Sequence, residues 1–142
     1  MQDKFPHTAV QCLTAIAQHH GLQINPERLI DEYALRAEEP GNGMLLRMAS
    51  EIGLKAKADK LTWSRLLAQG GVFPLMARLV SGNMVIIVGV KPGEDGAPDQ
   101  VAVLNPALAN ATVIMVARAE FEQRWQGEVL FVKREHKFTD PH

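Results

Sequence analysis

The stretch HTAVQCLTAIAQHHG, residues 7–21, sets apolar side chains at helical intervals and holds the only cysteine of the chain, Cys12. Ala9, Cys12, Leu13, Ile16, Ala17 and His20 fall on one face, which predicts a helix over 8–20 with that face inward. Thr8 followed by Gln11 has the spacing of a capping box and predicts Thr8 as the N-cap, with Gly21 as the stop. A single cysteine with His7, His19 and His20 nearby admits two readings, a nucleophile or a packed core residue. A reactive thiol gains from a helix N-terminus, where free N–H groups and the dipole favour thiolate. Cys12 lies a turn inside, on the inward face, where burial raises a thiol's pKa and leaves it inert. His19 is two turns further along the same rod and points back from it. The residues favour packing.

Outward from that helix, NPERLIDEYAL predicts a second one, with Asn25 as N-cap and Pro26 at the first position. GNGMLLRMASEIG predicts a third, with Leu45, Met48, Ala49 and Ile52 inward and Gly53 closing it. The period then shortens to two. LKAKAD alternates Leu54, Ala56 and Ala58 against Lys55, Lys57 and Asp59, the pattern of a half-buried strand. Thr62 is placed to cap a short helix through WSRLLAQ. FPLMARLV and MVIIVGV, joined across Ser81–Gly82–Asn83, predict a hairpin. KPGEDGAPD (91–99) predicts an exposed, mobile loop. QVAVLNP, ATVIMVA and EVLFVKR add three strands, with a short helix near AEFEQRW. A helical start followed by successive strands predicts an α+β fold, an antiparallel sheet packed by the N-terminal helices. One domain is expected over 1–134, with a polar tail over 135–142.

The totals narrow the function classes. At 142 residues the chain is large enough for one well-buried core. A formal net charge of −1 offers no electrostatic case for nucleic acid or an anionic membrane. One cysteine excludes an internal disulfide framework and fits a reducing compartment. The N-terminus MQDKFPH lacks the apolar core of a signal peptide. The apolar run MVIIVGV (84–90) is far short of the roughly 20 residues a membrane-spanning helix requires.

Metal and nucleotide chemistry find no support in the motifs. Adjacent His19 and His20 project about 100° apart on a helix and do not face one ion. There is no C-x-x-C, no H-E-x-x-H, no phosphate-cradling G-x-x-x-x-G-K-[ST] and no G-x-G-x-x-G after a strand. No cofactor and no metal is expected.

The chain resembles the peptidase C39 family, the N-terminal papain-like domains of bacterial ABC exporters. Active members carry a pattern like Q-x(4)-[DE]-C-G-x-A-C-L at the start of the first helix. Here Gln2 stands six residues before Thr8, and TAVQCL (8–13) lies over C-G-x-A-C-L. Cys12 and Leu13 thus match the second, structural cysteine and its leucine. Thr8 holds the nucleophile's place, His7 that of the acidic neighbour, and Ala9 that of the glycine. AIAQHHGLQINPERLIDEY and LLRMASEIGLKAKADKLTWSRL are similar to the family's next helical and helix–strand–helix passages. The family's G-x-H-F-V-V-L becomes GNMVIIV (82–88), with Met84 at the histidine, and its D-P pair becomes LNP, with Asn105 at the aspartate. FEQRWQGEVLFVKRE is similar to the closing F-x-x-x-W-x-G-x-x-L segment.

The resemblance implies a C39 fold whose three triad positions are all replaced, by Thr8, Met84 and Asn105, leaving only Gln2, the oxyanion donor. Threonine is a weak nucleophile without a paired base, and a thioether takes no proton. The implied function is a catalytically inactive domain that binds or recruits an RTX-type secretion substrate, with His7, Thr8, Met84 and Asn105 lining the former catalytic end. It implies as partners the membrane and nucleotide-binding domains of one transporter, reached through the 135–142 tail. It also implies a place on the cytoplasmic side of the bacterial inner membrane, without membrane insertion by this domain. The alternative is an active cysteine peptidase that cleaves a double-glycine leader through Cys12. A third reading is a domain that only steadies the transporter.

Overall fold

The computed structural model describes residues 7–35, 40–68, 74–106 and 112–134. Three helices lead, α1 (Thr8–His19), α2 (Pro26–Glu32) and α3 (Asn42–Glu51). They are followed by β1 (Leu54–Lys60), α4 (Trp63–Leu67), β2 (Leu75–Leu79), β3 (Met84–Lys91) and β4 (Gln100–Leu104). The chain continues with β5 (Val113–Ala117), α5 (Arg118–Glu122) and β6 (Trp125–Arg134). The six strands form one sheet in the order β1-β6-β2-β3-β4-β5, and every neighbouring pair is antiparallel. The α+β plan expected from the change of period is the plan observed.

Local chemistry sets most element ends as the residues predict. Asn25 accepts the Arg28 backbone N–H at 2.9 Å with Pro26 in the first turn, and Thr62 accepts that of Arg65 at 3.2 Å. The capping box at α1 does not form. His7 is the N-cap, in the left-handed region at φ 57°, ψ 34°, and no side chain caps the helix. Thr8 is instead the first helical residue and turns its hydroxyl away from the helix toward β3.

The sheet buries both faces. On one, Leu13 and Ile16 of α1 and Leu45 and Met48 of α3 pack on Leu54, Met76, Met84, Ile86 and Leu130. On the other, Trp63 and Leu66 of α4 and Phe121 of α5 pack on Leu75, Val85, Ile87, Val101, Val103, Trp125 and Val129. The rings form a chain, Trp63 to Phe121 at 6.4 Å and Phe121 to Trp125 at 5.3 Å between centroids. Both tryptophans therefore seal a helix against the sheet. Each fully buried Leu, Ile or Met side chain here contributes roughly 1.5–3 kcal/mol.

One polar hub crosses the elements. The Arg78 guanidinium donates to the Gly82 carbonyl at 3.0 Å, to that of Pro40 at 3.1 Å, to Asn42 Oδ1 at 3.0 Å and to Glu128 Oε2 at 3.2 Å. Asn42 Nδ2 reaches the same Glu128 oxygen at 3.0 Å. The fork thus ties the start of α3, the β2–β3 turn and β6 together, a use of arginine's planar donors that lysine does not match.

The 91–99 loop is exposed over most of its length but anchored at its end. Asp99 accepts the Gly93 N–H at 2.8 Å and the Trp63 indole N–H at 2.9 Å. Those two bonds hold its carboxyl below the usual 3.8 against a smaller opposing effect of burial, with attraction to Arg118 adding least. A carboxyl whose folded pKa is lowered stabilises the fold above its unfolded value and loses that contribution as pH falls through the folded value. Indole fluorescence is therefore expected to stay flat from neutral pH down to the usual carboxyl value of 3.8 and to change only below it, with the change absent in Asp99→Asn. An equal acid transition in the variant refutes the anchor.

Candidate functional site

Residues 8 and 84, far apart in the chain, meet where the start of α1 lies on the start of β3. Thr8 is 1% exposed and Met84 fully buried. Thr8 Oγ1 accepts the Met84 backbone N–H at 2.8 Å and the Asn83 Nδ2–H at 3.2 Å. One turn on, the Cys12 thiol donates to the Met84 carbonyl oxygen at 3.4 Å. Residues four apart on a helix share a face, so α1 grips both backbone polar groups of Met84 with Thr8 and Cys12. Two of the hydroxyl's acceptor sites go to N–H donors, which withdraws them from attack on a carbonyl.

Cys12 itself has no exposed surface. That burial is what the packing reading of the residue expects. Met84 places its side chain in the core beside Leu13 and Met76, and so presents no surface at this end of the sheet. His7 and Asn105 are half-buried. Asn105 follows β4, and the pairing of Ile86 with Leu104 puts it beside the start of β3. Residues 8, 84 and 105 are thus gathered at one end of the sheet. Gln2 lies outside the described residues, as does the 135–142 tail. Thr8, His7, Met84 and Asn105 are a half-sealed end, and two of the four are beneath it.

The open surface lies further along α1. A groove of about 310 Å³ runs between the C-terminal half of that helix, at Ala15, Ile16 and His19, and the sheet at Ile86, Val88 and Leu104, with Pro74 closing it. Its lining is almost wholly apolar. The β3–β4 register slips between Ile87 and Gly89, so that Val88 is an extra residue with no directly opposed partner. Such bulges re-aim side chains beside sites, and here the bulged residue lines the groove. A larger cavity of about 610 Å³ opens on the opposite face, near Trp63, Trp125 and Arg118. It shares no residue with the α1 end of the sheet.

His19 is exposed and His20 half-buried, with their rings in edge contact at 5.4 Å between centroids. Among the described residues no three of His, Cys, Asp and Glu sit close enough to hold a metal ion. Among the same residues no helix is long and apolar enough to cross a membrane. The groove residues Ala15, Val88 and Leu104, and the donor Asn83, went unnoticed in the sequence. MVIIVGV is apolar at every position but the glycine, which hides the face each residue takes. Asn83 read as a turn residue only.

Known proteins match this geometry along nearly the whole chain. The model of the peptidase C39 family matches residues 1–137. The cyclolysin secretion/processing ATP-binding protein CyaB of Bordetella pertussis is 30% identical over 126 residues. That match takes in 88% of this chain but 16% of the relative, so the chain spans about one sixth of its length. The crystal structure of the N-terminal peptidase C39 like domain of the toxin secretion ATP-binding protein from Vibrio parahaemolyticus superposes with a TM-score of 0.72 at 17% identity, covering 93% of this chain and 100% of that one. A double glycine motif protease from an AMS/PCAT transporter, solved with a leader peptide, gives 0.76 at 19% identity, covering 94% of this chain and 89% of the other. A helix whose first residue sits on the strand of residue 84, a strand that ends just before Asn105 and a family match over all but the last few residues agree: the chain belongs to the peptidase C39 family.

Proposed function

We propose that this chain is a peptidase-inactive C39 domain that binds the polypeptide cargo of an ABC exporter before transport. The observation that carries the reading is the Thr8 hydroxyl, at the nucleophile's position, buried and accepting from both Met84 N–H and Asn83 Nδ2. Peptide cleavage requires a nucleophile and a base that takes its proton. Position 84 supplies a thioether in the core, position 105 an amide, and the one thiol is sealed under α1. What is left of a protease is its substrate groove. The apolar trough between α1 and the β3–β4 bulge has the size and lining for side chains of an unfolded segment. His7 and Asn105 sit at the former catalytic end, while Thr8 and Met84 shape that end from below. The names of the matched relatives, which concern cyclolysin and toxin secretion, support an exported toxin as the class of cargo, and in this reading it is of the RTX type. In this reading the 135–142 tail leads to the membrane domain of the transporter, on the cytoplasmic side of the inner membrane.

The test pairs two assays on the folded domain. A synthetic leader peptide ending in Gly-Gly, followed by a short cargo sequence, is expected to emerge uncut after prolonged incubation. The exported polypeptide, kept unfolded by calcium chelation and mild urea, is expected to bind, and Val88→Glu with Leu104→Glu to weaken that binding at least tenfold. A carboxylate brought into an apolar trough loses its hydration without a partner there. Thermal melts check that the variant is folded. Cleavage after Gly-Gly that alkylation of Cys12 abolishes overturns the reading in favour of an active peptidase. Binding unaffected by the two glutamates moves the site elsewhere, and no binding at all leaves a domain that only steadies its transporter.

A further inference from the structure

The two edges of the sheet are unlike. β1, at one end, pairs only with β6 among the described residues and carries Lys55, Lys57 and Lys60 exposed along it. Lysine on an outer strand is a common guard against pairing with a further chain. β5, at the other end, pairs only with β4 among the described residues, and the run from Thr112 to Ala117 holds no charged residue. Three large apolar side chains in succession are exposed there, Val113 at 51%, Ile114 at 55% and Met115 at 46%. Because alternate residues of a strand face opposite ways, both sides of this edge are apolar and uncovered. Its outer row of backbone N–H and C=O groups completes an acceptor for one more strand.

The edge is continuous with the groove. Val113 pairs with Leu104, which is a wall of the trough beside α1. One strand spacing, about 4.8 Å, separates that wall from the edge. A chain lying in the trough therefore has the β5 edge one strand beyond the trough's wall. We infer that β5 binds an extended, uncharged, β-prone segment of the exported polypeptide by strand addition, with main-chain bonds to the edge and apolar side chains against Val113 and Met115 on one side and Ile114 on the other. The uncharged edge selects an uncharged segment, since a buried unpaired charge opposite it finds no partner. This inference rests on the cargo-binding reading above and specifies its cargo chemistry: sequence-tolerant in side chains, dependent on a free backbone.

The test uses the intact domain and a defined probe, a capped seven-residue peptide of alternating Thr and Val, followed by NMR titration of the β5 amides. Two further forms carry N-methyl groups on one or the other set of alternate residues. Strand addition uses one set of peptide N–H groups, so one methylated form is expected to lose at least tenfold in affinity and the other less than twofold. Met115→Lys is expected to weaken the unmodified probe at least tenfold. Val80→Lys, at another exposed apolar position (58%) in the β2–β3 turn, is expected to leave it unchanged. Equal binding of all three peptides, or indifference to Met115→Lys, overturns the inference. So does a domain that sediments as a dimer and becomes monomeric with Met115→Lys, because the edge is then filled by a second copy. Failure of the cargo-binding reading is a separate result: the exported polypeptide then fails to bind the unaltered domain, while the peptide series still decides the edge.

Discussion

Thr8→Val is expected to lower stability by about 3 kcal/mol and the melting temperature by about 10 °C, although it changes neither side-chain shape nor volume appreciably. The reason is what the hydroxyl accepts. Valine leaves the Met84 N–H and the Asn83 amide without the oxygen that now takes both, at 2.8 and 3.2 Å. A buried donor stripped of its acceptor costs about 1–3 kcal/mol. Asn83 can turn toward solvent from its 6% exposure, but the Met84 amide is held by the strand and has no such freedom. Thr8→Ser keeps the oxygen and should stay within about 1 kcal/mol of the parent. Under the proposed function, Thr8→Cys puts a thiol where Met84 offers it no base, so no cleavage of a Gly-Gly leader is expected. A Thr8→Val protein that melts within a degree of the parent shows that the bond to β3 does not hold the two layers together.

Gly127→Ala is expected to cost about 3–4 kcal/mol, a local side-chain change with a fold-wide effect. Gly127 sits in β6 at φ +106°, where an L residue is strained by about 1–2 kcal/mol. A Cβ built there meets the Leu61 carbonyl oxygen at 2.5 Å. That oxygen belongs to backbone and has little room to retreat, since Leu61 N–H is itself bonded to the Gly127 carbonyl at 2.8 Å. Relief of the clash pulls the β1–α4 junction off β6 and loosens Trp63, next but one in sequence. Chemical denaturation read by near-ultraviolet circular dichroism of the tryptophans measures both consequences together. A variant with parent stability and an unchanged tryptophan signal refutes the close approach. The same geometry explains the closing motif, F-x-x-x-W-x-G-x-x-L. Phe121, Trp125 and Leu130 are its buried apolar anchors, and Gly127 lets the β1–α4 backbone pass.

Much of this was legible in the residues. The change from helical to alternating period after Gly53 separates three helices from the strands, and the structure divides at the same place. Asn25 and Thr62 cap as their types predict, because a cap bond joins groups three residues apart and involves no distant partner. Cys12 is buried because its place on the inward face of an amphipathic helix leaves it nowhere else to go. Thr8 shows where such reasoning stops. Its hydroxyl had a local use, as a cap, and a distant one, as acceptor for β3. The distant one prevails because two donors at the start of that strand are sealed from water, whereas the first N–H groups of a helix have other means of satisfaction.

The sequence by itself determined the order and type of the elements and the inward faces of the leading helices. All of these depend on residue type and on spacing within one element. Only the tertiary structure decided that α1 grips Met84 at both backbone groups, that Val88 bulges into an apolar groove, and that β5 rather than β1 is left open and uncharged at the rim. Those depend on which strands become neighbours and which helix covers them. Periodicity says that a strand has an apolar face; the layering of the whole chain says whether anything lies on it.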